Sequence, residues 1–414
     1  MLGREEVITV EHALELIFNN LSPKLPPEEN LKIYESYGMI LSRDILSPED
    51  LPNFSRSTVD GFAVSAPDTF GATEGMPSYL NMRYEIAMGG EPDFELQKGE
   101  VAKIATGGML PKGADAVVMF EHTQLIDAGM IEVMKPVAPG ENVIQAGEDV
   151  KKGDCVLKKG HKMRPQDIGI LSGLGIRDVW AYEQPKVSII STGDEIVPPD
   201  KPVRPGQVRD INSYNLAGLI LDAGAIPLIK GIFSDDYNII RDVVEKSVKD
   251  SDIVLISGGS SVGARDVTAR VISELGKPGV LFHGVSLKPG KPTIGGIIDN
   301  VPVFGLPGHP AAVFVCFEIF IRPVLKTLSG ISKERLDIGK RVIEARIARN
   351  ISSSPGREEH IGVCLEEREG EIWAVPILGK SGLLSTLIKA DGTAVIPLRK
   401  FGVEEGEIVE VRLF

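Results

Sequence analysis

Between residues 184 and 330, short apolar runs alternate with segments of helical period, and no other feature constrains the fold as strongly. The predicted strands include "KVSIIS", "IPLIKGIF", "DIVLIS" and "VPVFGLPG", and the predicted helices include "SYNLAGLILDAG", "DDYNIIRDVVEKSVKD", "DVTARVISELG" and "HPAAVFVCFEIFIRPVLKTL". This alternation is typical of a doubly wound α/β domain with a parallel sheet, because helices cover both faces of the strands. We expect Ser213 or Asn212 to cap the first helix, and Asp235 and Asp236 to lie in the first turn of the second.

The remaining sequence predicts three further domains. A chain of 414 residues is too long for one hydrophobic core. "TVEHALELIFNNL" predicts a helix capped by Thr9, whereas the middle of the chain is rich in Gly and Pro with short alternating runs. The predicted units are a mixed α/β domain (1–51 with 140–183), an inserted β-rich domain (52–139), the α/β domain (184–330) and a C-terminal β-barrel or sandwich without a helix (331–414).

Charge and cysteine content exclude several classes of protein. The net charge of −13 argues against a general binder of nucleic acid or of anionic membranes, which carry basic surfaces. No apolar run approaches the roughly 18–20 residues of a membrane span, and the N-terminus does not have the pattern of a signal peptide. Cys155, Cys316 and Cys364 are odd in number and widely spaced, so we expect neither a disulfide framework nor a thiolate zinc site. A reducing cytoplasm fits best.

Four unusual loops follow predicted strands of the α/β domain. They are "STGDE", "SGGSSVG", "KPGKP" and "LPGHP". In an open α/β sheet, ligands bind outside the carboxyl ends of the strands. The four loops therefore predict one binding site at this edge.

The glycine-rich and lysine-rich loops favour an anionic ligand. Glycines let backbone N–H groups approach an oxyanion such as phosphate, although a flexible surface turn is the alternative for "SGGSSVG". Lys288 and Lys291 lie on a proline-bounded turn that limits the entropy cost of presenting two ammonium groups, although a solvated charged turn is the alternative. Walker A and G-x-G-x-x-G patterns are absent, which weakens a nucleoside triphosphatase or nicotinamide enzyme.

Carboxylates near the same loops indicate a divalent cation. Asp194 and Glu195 lie in "STGDE", Asp266 follows the glycine-rich loop, and Asp235 begins a predicted helix. Acids beside a phosphate repel it unless a cation such as Mg²⁺ lies between them. For Asp235, stabilisation of the helix dipole is an equally good explanation.

The order of motifs along the whole chain resembles the molybdopterin molybdenumtransferases, the MoeA family, which are similar to the E domain of gephyrin. The matching stretches are "SRSTVDGFAV", "AKIATGGMLPKGADAVVMFEHT", "GENVIQAGEDVKKGD", "STGDEI", "SGGSSVGARD", "KPGKP", "GLPGHP" and "SSPGREEH". The resemblance implies a four-domain homodimer whose active cleft combines the third domain of one subunit with the second domain of the other. It also implies a divalent cation, adenylylated molybdopterin and molybdate or tungstate as substrates, and AMP as a product.

The resemblance also implies roles for individual residues. The implied catalytic residues are Asp60, Glu195, Asp235 and Asp266. The implied metal ligands are Asp149, Glu195 and Asp266, and Arg357 and Ser381 are implied to hold the oxyanion. The implied contacts to molybdopterin and phosphate are Thr106, Gly107, Ser191, Thr192, Gly193, Ser257, Gly258, Gly259, Ser260, Lys288, Lys291, Pro307, Gly308 and His309. For Arg357 the chemistry agrees, since a guanidinium fork suits a tetrahedral oxyanion.

Three positions depart from the family pattern. His309 stands where asparagine is usual, Ser260 occupies the variable position of the glycine-rich loop, and Phe62 replaces a tyrosine. A histidine can still donate a hydrogen bond, but its charge varies near neutral pH. The acids and lysines of the family pattern are all present, so we expect these three differences to affect the reaction rate or the metal preference and not the class of reaction.

Two other functions stay open at this point: adenylylation of molybdopterin, and a gephyrin-like scaffold without activity. The Asp60 and "TGG" regions count against a stand-alone adenylyltransferase, which is instead a candidate partner. AMP release from adenylylated molybdopterin would exclude a pure scaffold. The sequence does not distinguish molybdate from tungstate, because both are tetrahedral dianions of nearly equal size.

Overall fold

The computed structural model describes residues 7–127, 129–258, 262–331, 342–353, 356–377, 379 and 384–414, without the side chains of 262–266 and 384. Elements are labelled in chain order. Three predicted site residues, Gly259, Ser260 and Ser381, lie outside the described residues, and Asp266 is described by its backbone alone.

A six-stranded sheet organises the α/β unit, with strand order β17-β14-β18-β22-β21-β19. The strands are β14 (Lys186–Thr192), β17 (Ile226–Phe233), β18 (Ile253–Gly258), β19 (Pro278–His283), β21 (Ile294–Ile298) and β22 (Val301–Leu306). The helices are α3 (Asn212–Asp222), α4 (Tyr237–Asp250), α5 (Val262–Leu275), α6 (Pro310–Cys316) and α7 (Arg322–Leu328), with a π-helical segment at Phe317–Ile321. A short pair, β15 (Ile196–Val197) and β16 (Val208–Arg209), follows β14. The doubly wound α/β prediction is confirmed.

The sheet is mixed rather than wholly parallel. The strands β17, β14, β18 and β22 are parallel, whereas β21 runs antiparallel to both of its neighbours, β22 and β19. Two reversals return β19 to the common direction, so its carboxyl end lies at the same edge as those of the parallel strands. The loop between β19 and β21, which contains "KPGKP", is therefore at the predicted edge.

Two predicted helix starts are wrong by a few residues. Helix α3 begins at Asn212, and the carboxylate of Asp210 accepts a hydrogen bond from the Ser213 N–H, 3.1 Å away. Helix α4 begins at Tyr237, and Asp236 is its cap, accepting from the N–H groups of Asn238 and Ile239. Asp235 therefore precedes the helix instead of lying in its first turn, because Asp236 satisfies the exposed N–H groups first.

The N-terminal helix α1 (Val10–Asn20) packs on the α/β unit. Thr9 caps it as predicted, accepting from the His12 N–H at 3.2 Å. Its buried residues Ala13 and Ile17 lie in the hydrophobic core formed with β14, β18 and α3. The apolar face of this helix is therefore buried against the large sheet, and its assignment to a domain with residues 140–183 stays a prediction.

Short antiparallel pairings connect the N-terminal segment to residues 143–182. The strands are β1 (Glu28–Lys32), β2 (Ile40–Leu41), β3 (Ile45–Leu46), β4 (Arg56–Ser57), β11 (Val143–Ile144), β12 (Cys155–Leu157) and β13 (Asp178–Tyr182). Strand β13 pairs with both β1 and β2, β12 with β3, and β11 with β4. Helix α2 (Pro165–Gly173) supplies Leu171 to their common core.

A second six-stranded sheet forms the half-barrel of the inserted unit, with order β8-β5-β7-β6-β10-β9. The strands are β5 (Gly61–Val64), β6 (Ser78–Glu85), β7 (Glu100–Ile104), β8 (Ala116–Met119), β9 (Thr123–Asp127) and β10 (Met130–Val133). Alternate residues of β5 enter two different cores, since Phe62 and Val64 lie in one and Ala63 in the other. The two-residue period of a strand thus buries both faces of this sheet.

The C-terminal unit is a closed five-stranded barrel, which confirms the predicted small barrel. Its strands are β23 (Val342–Ile347), β25 (Glu358–Arg368), β26 (Glu371–Pro376), β27 (Gly392–Ile396) and β29 (Ile408–Leu413), with the pair β24 (Ile351–Ser352) and β28 (Gly402–Val403) beside them. Pairing of β25 with β27 closes the ring, which removes free edges. The expectation of a helix-free unit is wrong, because α8 (Leu384–Lys389) forms there.

Among the helices of the described ranges, each is too short or too polar to span a membrane.

Candidate active site at the carboxyl edge of the α/β sheet

Strands β14 and β18 end side by side at the edge where the loops converge. Ser191 pairs with Ser257, and Thr192 pairs with Gly258. Gly258 has φ +134°, and a Cβ there would lie 2.0 Å from the carbonyl oxygen of Thr192. Only glycine fits, which explains why the glycine-rich loop begins at this residue.

The loop after β14 packs just as closely. Gly193 has φ +142°, and an added Cβ would lie 2.8 Å from Oε2 of Glu195. The Gly193 N–H donates to the carbonyl of Phe233 at the end of β17, 3.1 Å away. The "STGDE" turn is therefore tied to the neighbouring strand, with the Glu195 carboxylate folded against its backbone.

A cavity of about 120 Å³ opens between the loops after β18 and β22 and the start of β21. Its walls combine apolar side chains with the backbone of the "LPGHP" loop. The lining residues are Ile256, Gly258, Thr268, Pro292, Ile294, Gly305, Leu306, Pro307, Gly308 and His309. The predicted residues Gly258, Pro307, Gly308 and His309 thus share one cavity.

Asp235 lies close to the acids of the "STGDE" turn. Burial raises its pKa, a hydrogen bond from Thr192 opposes that rise, and the charges of Glu195 and Asp194 raise the pKa further. Its Oδ1 is buried and has no hydrogen-bond partner in the described part of the chain. Asp194, Glu195 and Asp235 therefore form an acidic cluster beside the strand ends.

The predicted metal ligands are Asp149, Glu195 and Asp266, and they belong to different parts of the fold. Asp149 is exposed, and its N–H donates to the carbonyl of Leu51, at 3.1 Å, in a turn outside the α/β unit. Among the side chains that the structure describes, no three His, Cys, Asp or Glu residues approach in the geometry of a metal site. Asp266 lies on α5, but its side chain is not described.

The basic loop of the α/β unit is joined to the C-terminal barrel. Leu287 and Lys288 form β20, which pairs with Glu358 and Glu359 of β25. The Glu358 N–H donates to the carbonyl of Ser286 at 2.8 Å. In this register half-buried Arg357, directly before β25, lies beside Ser286, two residues before Lys288.

Within that loop the two lysines differ. Both are exposed, but the Lys288 ammonium pairs with Oε1 of Glu359 at 2.6 Å, whereas Lys291 forms no ion pair with another described residue. The hydroxyl of Thr293 donates to the carbonyl of Gly290 at 2.6 Å and closes the turn. Lys288 is therefore held by the barrel, and Lys291 by the turn alone.

Asp60 and Thr106 form a second predicted group, in the inserted half-barrel. The N–H and the hydroxyl of Thr106 both donate to Oδ1 of Asp60, at 2.7 and 2.9 Å. These two bonds lower the pKa of Asp60 and keep its carboxylate ionised. Gly107 follows with φ +84°, a conformation that favours glycine. No hydrogen bond between described residues joins this pair to the strand-end loops.

Two residues at the α/β edge were not predicted as parts of the site. Asn212 is buried and contacts both Ser257 and Gly308, and Glu359 holds Lys288. Asn212 was considered only as a helix cap, because its partners are 45 and 96 residues away in the chain. For Glu359 the available signal was its place in "GREEH", two residues after Arg357.

Models of three regions of the MoeA proteins match nearly the whole chain. The MoeA N-terminal region (domain I and II) matches residues 8–175, the probable molybdopterin binding domain matches residues 188–327, and the MoeA C-terminal region (domain IV) matches residues 344–414.

Individual relatives agree with these matches. A Methanocaldococcus jannaschii protein named for molybdopterin biosynthesis is 38% identical, over 99% of this chain and 98% of its own. The molybdopterin molybdenumtransferase of a Nostoc species is 33% identical, over 97% and 93%. The crystal structure of the molybdopterin biosynthesis MoeA protein of Pyrococcus horikoshii superposes with a TM-score of 0.85 and 33% identity, over 99% of this chain and all of that one. On this evidence the chain belongs to the MoeA family of molybdopterin molybdenumtransferases.

Proposed function

We propose that this enzyme inserts molybdate, or tungstate, into adenylylated molybdopterin and releases AMP. The observation that carries the proposal is the pairing of β20 with β25. It joins the strand that begins the lysine loop of the α/β unit to the barrel strand that Arg357 directly precedes, so basic residues of the two units lie on neighbouring segments. An oxyanion and a phosphorylated pterin both require such positive charge.

The loops after β14, β18 and β22 are the proposed site for the pterin and its phosphates. Backbone N–H groups near Gly193 and Gly258 suit phosphate oxygens, and the cavity beside Gly308 has the apolar walls that a flat heterocycle requires. The other proposed contacts to the pterin and its phosphates are Ser191, Thr192, Ser257, Gly259, Ser260, Lys288, Lys291 and His309. Arg357 and Ser381 are the proposed oxyanion contacts.

We propose Mg²⁺ as the divalent cation, held beside the acidic cluster with the help of ligands from outside it. The buried Oδ1 of Asp235 has no partner in the described residues, and Asp194 and Glu195 are close enough to raise its pKa. Glu195 and Asp266 are the proposed ligands from the α/β unit, with Asp149 from elsewhere. When bound, the cation neutralises charge on the phosphates at the pterin–AMP link. The chain's own contribution is to orient that link. Asp235 is the proposed proton acceptor when the link is cleaved.

We propose that Asp60, Thr106 and Asp149 complete the cleft of a partner subunit in a homodimer. Within one chain these residues lie in other units than the strand-end loops. Mixing Asp60→Ala and Asp266→Ala chains tests this, because heterodimers would contain one intact cleft. Recovery of activity is the expected result. A monomer with full activity would exclude the shared cleft.

The direct test of function is incubation with adenylylated molybdopterin, Mg²⁺ and molybdate, scored by AMP release and cofactor formation. We expect both products, and Asp266→Asn should reduce AMP release by roughly 10²-fold, the scale of losing a main electrostatic group. A scaffold would release no AMP, and an adenylyltransferase would consume ATP without molybdate. We further propose a cytoplasmic enzyme that receives its substrate from the adenylyltransferase.

A further inference from the structure

The buried side-chain amide of Asn212 links two segments of the proposed site. Asn212, the first residue of α3, is 8% exposed, and its Nδ2 lies 2.9 Å from Oγ of Ser257 and 2.9 Å from the carbonyl oxygen of Gly308. Ser257 leads into the glycine-rich loop, and Gly308 belongs to the loop after β22. One side chain thus contacts two loops that are far apart in the sequence.

Chemistry settles the orientation of the amide. The carbonyl oxygen of Gly308 can only accept, so the atom facing it must be the NH₂ group. Both N–H bonds of Asn212 are then engaged, one to each loop. No other uncharged side chain of this size presents two donors from one atom, apart from the longer glutamine.

The amide and much of the cavity wall belong to opposite faces of the sheet, although Leu306, which also lines the cavity, packs in the core on the α3 face. Ile256 and Thr268, which line the cavity, pack on the side covered by α4 and α5. Helix α3 packs on the other face, with Leu216 against Val187 and Ile189. Side chains alternate along a strand, so Ser257 points towards α3 while its neighbour Ile256 points towards the cavity. Asn212 therefore contacts Ser257 and Gly308 from the α3 face, and these residues belong to the two segments that line the cavity through Gly258 and Gly308.

We propose that Asn212 is a positioning residue that fixes the placement of the end of β18, Ser257 and Gly258, relative to the "LPGHP" loop, and thereby the width of the cavity between them. This inference rests on the proposed function only in naming adenylylated molybdopterin as the ligand. When the loops are already fixed in place, less conformational entropy is lost on binding. Removing the Asn212 amide should therefore lower the affinity for the pterin substrate. Oxyanion capture, assigned to Arg357 on another unit, is independent of it.

Hydrogen–deuterium exchange tests the positioning directly, without any assumption about activity. In Asn212→Ala and in the isosteric Asn212→Asp, peptides that contain Ser257 and Gly308 should both exchange roughly tenfold faster, the scale of losing one or two buried hydrogen bonds. Asn212→Asp keeps the volume but cannot donate to Gly308 when ionised. Asn215→Ala is the matched control on the same helix, because the buried Nδ2 of Asn215 has no partner in the described residues.

A second control separates positioning from general loss of stability. Thr69 is fully buried in the half-barrel and also bridges two segments, donating to the carbonyl of Ala66 and accepting from the Val137 N–H. Thr69→Val should lower the melting temperature without changing exchange at Ser257 or Gly308.

Kinetics supply the functional readout. We expect KM for adenylylated molybdopterin to rise roughly tenfold in Asn212→Ala and Asn212→Asp, with the half-saturating concentration of molybdate unchanged. Unchanged exchange in the two loops would overturn the proposal, as would increased exchange with an unchanged KM. If the wild type shows no turnover but the loops loosen together, the proposed function fails while the structural link through Asn212 stands.

Discussion

Lys288 and Glu359 form an ion pair between the α/β unit and the C-terminal barrel, with Nζ 2.6 Å from Oε1. The two ends differ in exposure, since the lysine side chain is 47% exposed and the glutamate side chain 10%. Glu359 also accepts a hydrogen bond from the hydroxyl of Ser353 at 2.7 Å. The asymmetry predicts different costs for removing each partner.

Lys288→Met should destabilise the protein more than Glu359→Gln, because it leaves a buried carboxylate without its cation. We expect a difference on the order of 1–2 kcal/mol, and the double variant should recover part of the loss. Calorimetric melting of the four proteins measures the coupling. Additive effects of the two changes would show that the pair contributes nothing to the contact between the units.

Arg357→Ala should weaken the use of molybdate while leaving affinity for the pterin substrate nearly intact. Loss of a charge-assisted contact costs on the order of 1.5–3 kcal/mol, or roughly ten- to hundredfold in half-saturating molybdate. Excess molybdate should rescue the variant, and Arg357→Lys should restore function only in part, because the ammonium lacks the planar fork. The measurement is cofactor formation against molybdate concentration.

A matched control comes from the same unit. Arg349 donates to the carbonyl of Pro376 at 3.0 Å and is not a predicted site residue. Arg349→Ala should leave the molybdate midpoint unchanged. A midpoint shared by the wild type, Arg357→Ala and Arg357→Lys would remove Arg357 from the oxyanion site.

Thr106→Val should move the acidic limb of the pH–activity profile to higher pH. The substitution removes the hydroxyl that donates to Asp60 and keeps the backbone N–H. Losing one of the two bonds that lower the pKa of Asp60 raises that pKa towards its ordinary value, so the carboxylate protonates at higher pH. Thr123→Val, in the same unit, is the control. Superimposable acidic limbs for all three proteins would show that Asp60 ionisation does not limit activity.

Acid should selectively weaken the segment around α2. Burial alone would raise the pKa of Asp167, but hydrogen bonds from Arg164 and His161 outweigh it and hold the pKa at about 2. A folded-state pKa below the unfolded value gives stability that is present above about pH 4 and is lost as the pH falls through 2. The loss amounts to about 2 kcal/mol at most.

Denaturant unfolding of the wild type and Asp167→Asn from pH 6 to pH 2 measures this contribution. The difference in unfolding free energy should shrink as the pH falls. Asp178→Asn is the control, since Asp178 forms an exposed ion pair with Lys32 and its loss should change stability little. A difference that is constant with pH would assign the effect to packing instead of charge.

Gly258→Ala should disrupt the end of β18. The added methyl would lie 2.0 Å from the Thr192 carbonyl oxygen, and φ is +134°. The backbone strain alone costs on the order of 1–3 kcal/mol, before the steric clash is relieved. Gly218→Ala, within helix α3, is the control expected to preserve folding, because an added Cβ there would have nothing within 4 Å. Melting temperatures and pterin-substrate KM values test the difference, and equal values would show that Gly258 is not required by its surroundings.

The sequence by itself determined the features that depend on short stretches of chain. Apolar runs such as "KVSIIS" and "DIVLIS" specified buried strands, Thr9 specified a helix start, and the loop motifs marked the strand ends that carry the proposed site. Each follows from residue periodicity or from bonds within about four residues. The domain limits remain predictions, as do the roles of Ser260 and Ser381, which lie outside the described residues.

Only the tertiary structure decided how distant segments meet. Strand β21 runs antiparallel to its neighbours, and α1 packs on the α/β sheet. Lys288 pairs with Glu359, and Asn212 lies between Ser257 and Gly308. These contacts span tens to hundreds of residues, and local propensity carries no information about them. They form because burying an apolar face or a polar group favours whichever partner the completed fold brings within reach.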